Sequence, residues 1–364
     1  MKALVVGGTG PTGPYIVNGL LKRGYEVAIL HRGTHEIDEI PPEVEHIHTD
    51  PHFVETLEPA LAGRKFDVCV ATYGRLRHVA AVMRDKTDHF ISVGGTPYKS
   101  FSDPNELFPY GGMIPFAETD PYADEDSSYR LAPLIAVAER TVFDCHPNAT
   151  HFRYPYIYGA YQLVPREWCI VRRILDERPF IVLPDGGWHL YQHGYAENAA
   201  HAVLLGVDKR EVAAGKSYNC ADERQLTLRQ MVEVIAAEMG REIEIVSVPR
   251  EVASVAWPLI LQGHLEHSVL DLFKIRSDLG YSDVVSPAEG FARTARWLIE
   301  NAAEQKVQYE SNLHDAFDYE AEDRLVGKFR EGIMALQDFS WPTLDRPHAY
   351  AHPKKPGEAD HRGR

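Results

Sequence analysis

The sequence predicts an α/β protein: a doubly wound parallel sheet of Rossmann type with a smaller C-terminal substrate-binding domain. Two observations carry this expectation. Short apolar runs that end in glycine alternate with amphipathic stretches at helical spacing through about residue 160, the pattern of strand and helix in turn. A glycine-rich segment, "GGTGPTG", separates the first such run from the first such stretch, the place where these sheets carry their phosphate-binding turn. Residues 1–160 are therefore expected to form the nucleotide-binding Rossmann domain, with the chain returning to it around 193–222. Residues 161–340 are expected to supply mainly the substrate-binding domain and C-terminal helices, and 342–364 a polar, proline-rich, flexible tail.

The elements follow in order. "KALVVGG" is a short buried strand, and "PTGPYIVNGLLKRG" a helix that places Ile16, Val17, Leu20 and Leu21 on one face before Gly24 stops it. "YEVAILHR", "FDVCVATYG" and "DHFISVGG" are further strands, apolar throughout because a parallel sheet is covered on both faces. After an aromatic, loop-like stretch, "RYPYIYGAYQLVPREW", helices are predicted in "CIVRRILDE" and "HGYAENAAHAVLLGVD". "KSYNCADERQLTLRQMVEVIAAEMG" predicts a strand, a turn and an amphipathic helix, and "FKIRSDLGY" and "SPAEGFARTARWLIENA" two more helices.

Composition narrows the function classes. The 364 residues carry 38 basic and 53 acidic side chains, a formal charge of −15. Nucleic-acid binders draw affinity from Lys and Arg on phosphates, so no nucleic-acid partner is expected. No apolar run approaches the roughly 18 residues of a membrane span, and "MKALVVGG" turns to glycine too early for a signal-peptide core. A cytoplasmic protein without a membrane partner is expected. Cys69, Cys145, Cys169 and Cys220 are scattered without CxxC spacing and read as free thiols. The 18 histidines include no HExxH, and one i,i+4 pair, His348 and His352, lies in the proline-rich tail; no metal site is expected.

The glycine segment has specific physics. Gly7, Gly10 and Gly13 stand at GxxGxxG spacing between strand and helix. Glycines let the backbone turn tightly and approach a pyrophosphate, and the helix start offers free N–H groups and a positive dipole end. With Thr9, Pro11 and Thr12 they form a candidate cofactor-binding loop. An NAD site ends its second strand with Asp or Glu on the ribose 2′-hydroxyl; here His31 takes that place and Arg32 follows. A guanidinium pairs with a 2′-phosphate that a carboxylate would repel, so NADP is favoured, with NAD left open.

These motifs, in this order, resemble the extended short-chain dehydrogenases/reductases, the NAD-dependent epimerase/dehydratase family, to about residue 300. The resemblance implies that Asp50, after the third strand, contacts adenine, and that Tyr73 and Gly74 end the fourth strand beside the cofactor. It also implies that "FRYPYIYG" brings Pro155 and Tyr156 near the nicotinamide. "YNCADERQLTLRQMVEVIA" and "FKIRSDLGY" match the family's C-terminal half, and the resemblance admits a homodimer.

The catalytic motifs depart from the family. Its members use Ser or Thr to hold the substrate oxygen, Tyr as acid/base and Lys four residues later. The Lys matters because a free phenol, with a pKa of about 10, is only about 0.1% ionised at pH 7. In "ISVGGTPY", matching on Tyr98 puts Gly94 at the serine position, with Ser92 and Thr96 as neighbours. In "SSYRLAPLIAVAE", matching Tyr129 puts Pro133 at the lysine, while matching Glu139 puts Leu131 and Ile135 at the pair. Neither alignment keeps it. Proline costs about 3 kcal/mol inside a helix, so Pro133 is expected in a first turn, with Tyr129 just ahead of the helix. Tyr129, Ser92, Thr96 and His193 are the candidate catalytic residues, His193 because imidazole titrates near neutrality without a lysine partner.

Family members that act on nucleotide sugars place arginines on the substrate diphosphate, but "WHLYQHGYAEN" and "QGHLEHSVL" hold none. Tyr156, Tyr158, Tyr161, Trp168, Trp188, Tyr191, His193 and Trp257 are instead expected to frame a smaller, less charged, ring-containing carbonyl or hydroxyl substrate. The resulting expectation is an atypical NAD(P)-dependent oxidoreductase of reductase, epimerase or dehydratase type. A dinucleotide-binding sensor without turnover and a non-redox lyase or isomerase on the same scaffold are the alternatives.

Overall fold

Alternation along the first strand, β1 (Lys2–Val6), decides where the layers lie. Ala3 and Val5 join the core on one face of the sheet, Leu4 and Val6 the core on the other, and all four are fully buried. The computed structural model describes residues 1–99, 112–127, 130–256, 259, 267–336, 352–360 and 362–364.

From β1 the chain runs through α1 (Gly13–Lys22), β2 (Glu26–His31), β3 (Glu45–His48), α2 (Val54–Ala60) and β4 (Val68–Ala71). It continues through α3 (Leu76–Val82), β5 (Phe90–Gly94), α4 (Leu131–Cys145) and β6 (Thr150–Arg153). It then leaves the sheet for β7 (Tyr156–Tyr158), α5 (Glu167–Leu175), β8 (Phe180–Pro184) and β9 (His193–Tyr195). Helices α6 (Ala196–Asp208) and α7 (Arg210–Ala213) lead back to the sheet at β10 (Lys216–Asn219). The strands lie side by side in the order β3, β2, β1, β4, β5, β6, β10, and every pair is parallel. The chain reverses its direction of travel across the sheet between β1 and β4, and a crevice opens at such a switch point, beyond the C-terminal strand ends. Ile16 and Leu20 of α1 and Ala199 and Val203 of α6 cover one face. Leu57 of α2, Val79 of α3 and Val142 of α4 cover the other.

A second core lies beside the sheet. The chain contributes α8 (Leu228–Glu238), β11 (Glu244–Val248), α9 (Phe273–Leu279), α10 (Pro287–Glu300) and α11 (Ala302–Leu313) after β10. β8 pairs in parallel with β11, and β7 with β9. Trp168 and Ile170 of α5, Val232 and Ile235 of α8, and Phe291 and Leu298 of α10 close this core. Its helices start where the sequence signals them: Thr227 and Gln230 form a reciprocal capping box on α8, and Ser286 caps α10 ahead of Pro287. These elements belong to one unit, Met1–Phe317, and a second unit, Asp318–Arg364, carries α12 (Tyr319–Leu336). The tail expected from 342 lies outside the described residues as far as 351. All four cysteines are free thiols. Among the described residues, no helix is long and apolar enough to cross a membrane.

Candidate functional site

The loop between β1 and α1 is built by its glycines. The Gly7 N–H donates to the Leu30 carbonyl at 2.9 Å, which ties the loop to the end of β2. Gly7 has φ +110°, and a Cβ there would lie 2.6 Å from Thr72 Oγ1. A Cβ on Gly13 would fall 2.2 Å from the Gly8 carbonyl oxygen, so only glycine lets α1 start against the loop. Gly10 differs, because among the described residues a Cβ there would meet no atom within 4 Å. Thr12, the N-cap of α1, makes no side-chain capping bond, and Pro14 stands in the first turn. The helix thus begins without the side-chain acceptor that would otherwise occupy its N–H groups, an arrangement that suits an anion.

The crevice above this loop encloses about 320 Å³. Gly7, Thr9, Gly10, Pro11, Thr12 and Gly13 all line it, as do His31, Arg32 and Tyr73, and Val93, Ile157 and Leu163 add an apolar wall. The Arg32 guanidinium lies 5.8 Å from the centre of the Tyr73 ring. His31 is buried, and burial lowers its pKa.

Asp50, Gly74, Pro155 and Tyr156 are not in the crevice lining. The Asp50 carboxylate accepts from the His52 N–H at 3.0 Å and meets His52 Nδ1 at 2.7 Å, contacts that lower its pKa. Gly74 packs on Pro51, where a Cβ would fall 2.7 Å from the proline Cβ. The Tyr156 hydroxyl donates to the Val164 carbonyl at 2.8 Å and accepts from the Arg166 N–H at 3.0 Å, bracing the loop that follows β7.

Three of the four candidate catalytic residues, Ser92, Thr96 and His193, fall within the described residues. Tyr129 lies outside the described residues. α4 opens at Leu131, and Pro133 is its third residue, inside the first turn as expected. One turn further on, Ile135 reaches the end of β5, with its Cδ1 2.9 Å from where a Cβ on Gly95 would lie. A Cβ on Gly94 would fall 2.8 Å from His151 Cε1, so an imidazole fills the space beside the family's serine position. Ser92 is fully buried, with its hydroxyl 2.8 Å from His151 Nδ1. Thr96 is half-buried just beyond β5.

His193 is a different case from the one its sequence suggests. It is buried on β9, its Nδ1–H donates to the Tyr191 carbonyl at 2.8 Å, and the rings of Tyr156, Tyr158 and Phe291 meet it edge-on. Burial lowers its pKa to about 3. It is therefore neutral across the physiological range and does not titrate between pH 6 and 7.

Three buried ionisable groups escape a sequence reading. Arg153 and Glu139 form a bidentate pair under the end of β5, bonded also to Tyr98, Tyr122 and Ser217. Glu167, the first residue of α5, is fully buried; burial pushes its carboxyl up to about 7, and its Oε1 has no hydrogen-bond partner. The aromatic set is split: Tyr156, Tyr158 and Tyr191 gather around His193. Trp168 and Tyr158 are core residues, Trp188 is exposed, Tyr161 lines the crevice beside the glycine loop, and Trp257 lies outside the described residues.

No family model matches the chain. Among curated proteins, it is 29% identical over 137 residues to the uncharacterized protein YbjS of Escherichia coli K12, covering 32% of this chain and 41% of that one. It is 26% identical over 254 residues to the chloroplast stem-loop binding protein of 41 kDa b of Arabidopsis thaliana, covering 66% of this chain and 63% of the other. The chain thus spans less than two thirds of the length of these relatives. Among solved structures, a UDP-glucose 4-epimerase from Thermotoga maritima with UDP-glucose superimposes with a TM-score of 0.65 at 18% identity, covering 83% of this chain and 99% of that one. A dTDP-glucose 4,6-dehydratase from Streptomyces venezuelae with NAD bound gives 0.62 at 20% identity, covering 83% of this chain and 98% of that one. The strand order, the glycine loop at the switch point and these superpositions establish that the chain has the fold of the extended short-chain dehydrogenases/reductases, the NAD-dependent epimerase/dehydratase fold.

Proposed function

We propose that the chain binds a nicotinamide dinucleotide along the β1–α1 loop and works as an oxidoreductase of reductase, epimerase or dehydratase type. The proposed substrate is a small, ring-containing carbonyl or hydroxyl compound. The crevice is the observation that carries this. It joins a glycine loop, an α1 start without a side-chain cap, a basic residue at the end of β2 and an apolar wall, all at the switch point of the sheet. The residues fit the group: Gly10 leaves open space where a side chain would project, and Gly7, at φ +110°, makes a turn that lines the crevice.

A bound nicotinamide supplies or accepts the hydride. The loop N–H groups hold the pyrophosphate, and Val93 and Ile157 give an apolar surface that sheds water. Arg32 pairs with a 2′-phosphate and favours NADP, although the solved dehydratase carries NAD. Tyr129 donates the proton to the substrate oxygen. Ile135, not a lysine, reaches the end of β5, so the family's ammonium is missing as a means of lowering the phenol pKa, and donation in the reduction direction is favoured over abstraction.

The same observation supports a second reading, a dinucleotide-binding protein without turnover, in which Ile135 and His151 simply fill the vacated catalytic positions. Hydride transfer from NADPH to any carbonyl in a broad screen excludes it. One relative is named for stem-loop binding, but a charge of −15 supports a small-molecule ligand over a polyanion.

Calorimetric titration of NADPH and NADH tests cofactor choice. Losing a charged hydrogen bond costs about 1.5–3 kcal/mol, or roughly 10- to 150-fold in affinity. NADPH should bind more tightly by about this factor, and Arg32→Asp should reverse the order. Equal affinities, unchanged in the variant, would make Arg32 a solvated loop residue.

A further inference from the structure

The parallel pairing of β2 with β3 places His31 directly opposite His48, and His46 lies two residues before His48 on the same face. The loop between the strands returns Glu36 over these three rings. Its Oε1 lies 3.7 Å from His31 Nε2 and 3.3 Å from His48 Nε2, and its Oε2 lies 3.2 Å from His46 Nδ1. His31 Nε2 and His46 Nδ1 are 3.1 Å apart. One donor atom from each of the four residues lies within 4.8 Å of all the others.

We infer that His31, Glu36, His46 and His48 form a binding site for one late first-row divalent cation, of which Zn²⁺ is the simplest example. The argument is geometric. Metal–ligand distances of about 2.0–2.1 Å in a tetrahedron set donor-to-donor edges of about 3.3–3.4 Å. Four of the donor separations, taken with one or other Glu36 oxygen, are 3.1 to 3.7 Å and bracket that value, and all four donors lie within 4.8 Å of one another. The rings meet edge to face at 5.0–5.9 Å and do not stack, and one nitrogen of each lies within 4.8 Å of the others. Three imidazoles and one carboxylate select zinc, copper, nickel or cobalt over magnesium and calcium, which need oxygen shells.

One contact opposes the site. The Gly33 N–H donates to His31 Nδ1 at 3.3 Å, whereas a cation on Nε2 requires a proton on Nδ1. The Gly33 peptide must tilt aside, and a glycine at φ +71° has the freedom to do so. Glu36 shares its loop with Arg32, Thr34 and His35, which line the crevice, so the cation would sit at the crevice rim. The site itself does not depend on what the crevice binds.

The test is a Zn²⁺ titration of the chelator-stripped full chain against a chromophoric competitor. It is run in a His348→Ala/His352→Ala background, so that the tail pair does not contribute. One equivalent should bind, and excess Mg²⁺ should not displace it. His48 and Glu36 are 56% and 49% exposed, so His48→Ala and Glu36→Ala should each weaken binding at least tenfold while the metal-free melting midpoint stays put. Absence of a one-equivalent phase, or a phase that survives both substitutions at full strength, would overturn the assignment.

Discussion

Arg153 grips Glu139 at two points, with Nη2 2.9 Å from Oε1 and Nε 3.1 Å from Oε2, and each side chain is only 1% exposed. The pair locks α4 to β6 beneath the crevice end of the sheet. Burial alone would raise the Glu139 carboxyl, but the His151 ring and the Arg153 bonds outweigh it and bring it down to about 2. The unfolded carboxyl titrates near 4.5. The stabilisation is therefore complete above that pH and lost as pH falls through about 2.

Glu139→Gln removes one partner and leaves a buried guanidinium uncompensated. The expected loss is about 3–5 kcal/mol, read from urea unfolding at pH 7. A change within about 0.5 kcal/mol, typical of a surface substitution, would show that Tyr98 and Tyr122 satisfy Arg153 without the carboxylate.

Glu167 has the opposite sign. Its native carboxyl titrates near 7 and its unfolded carboxyl near 4.5, so the native state holds a proton that the unfolded chain releases. Its contribution is complete below pH 4.5 and is lost as pH rises through 7. Glu167→Gln keeps the shape and removes the titration. The stability that wild type loses between pH 5 and pH 8 should shrink in the variant by on the order of 2–3 kcal/mol. Parallel pH profiles for the two proteins would mean that the carboxyl does not titrate in that interval.

The proton donor separates by kinetics. On a carbonyl substrate found by screening with NADPH, Tyr129→Phe should lower kcat by about 10²–10⁴ and leave cofactor affinity unchanged. Because burial holds His193 near 3, the rate should show no break between pH 6 and 7. Full activity in Tyr129→Phe removes the phenol from the mechanism, and a break near 6.5 would return attention to a histidine.

The main sheet was legible because its signals are local. β1 and β2 are unbroken apolar runs, and the glycines between β1 and α1 are adjacent in sequence. What escaped depends on segments far apart. β8 and β11 are short runs that pair across the intervening α6, β10 and α8, and neither is bounded by a hairpin turn that would announce a partner. Trp168 and Tyr158 sit in an aromatic stretch that resembles a pocket lining. The folded chain stacks Tyr158 on Phe291 at 3.9 Å and packs Trp168 against Tyr309. The Arg153–Glu139 pair was hidden because its partners come from a helix and a strand. The histidine cluster draws on two strands and a loop, and its one local sign was the alternation of His46 and His48 along β3.

The central claim, a dinucleotide held on the β1–α1 loop, is tested most directly by titrating NADPH and NADH into wild type and Gly10→Val and following each protein's melt. A Cβ on Gly10 touches no atom of the described residues, so the variant should melt cooperatively at the wild-type midpoint. Wild type should bind at least one of the two cofactors in a saturable one-to-one complex, and the valine, projecting toward the pyrophosphate, should abolish that binding. Saturable binding of equal strength in the folded variant, or no binding of either cofactor by wild type, would contradict the account.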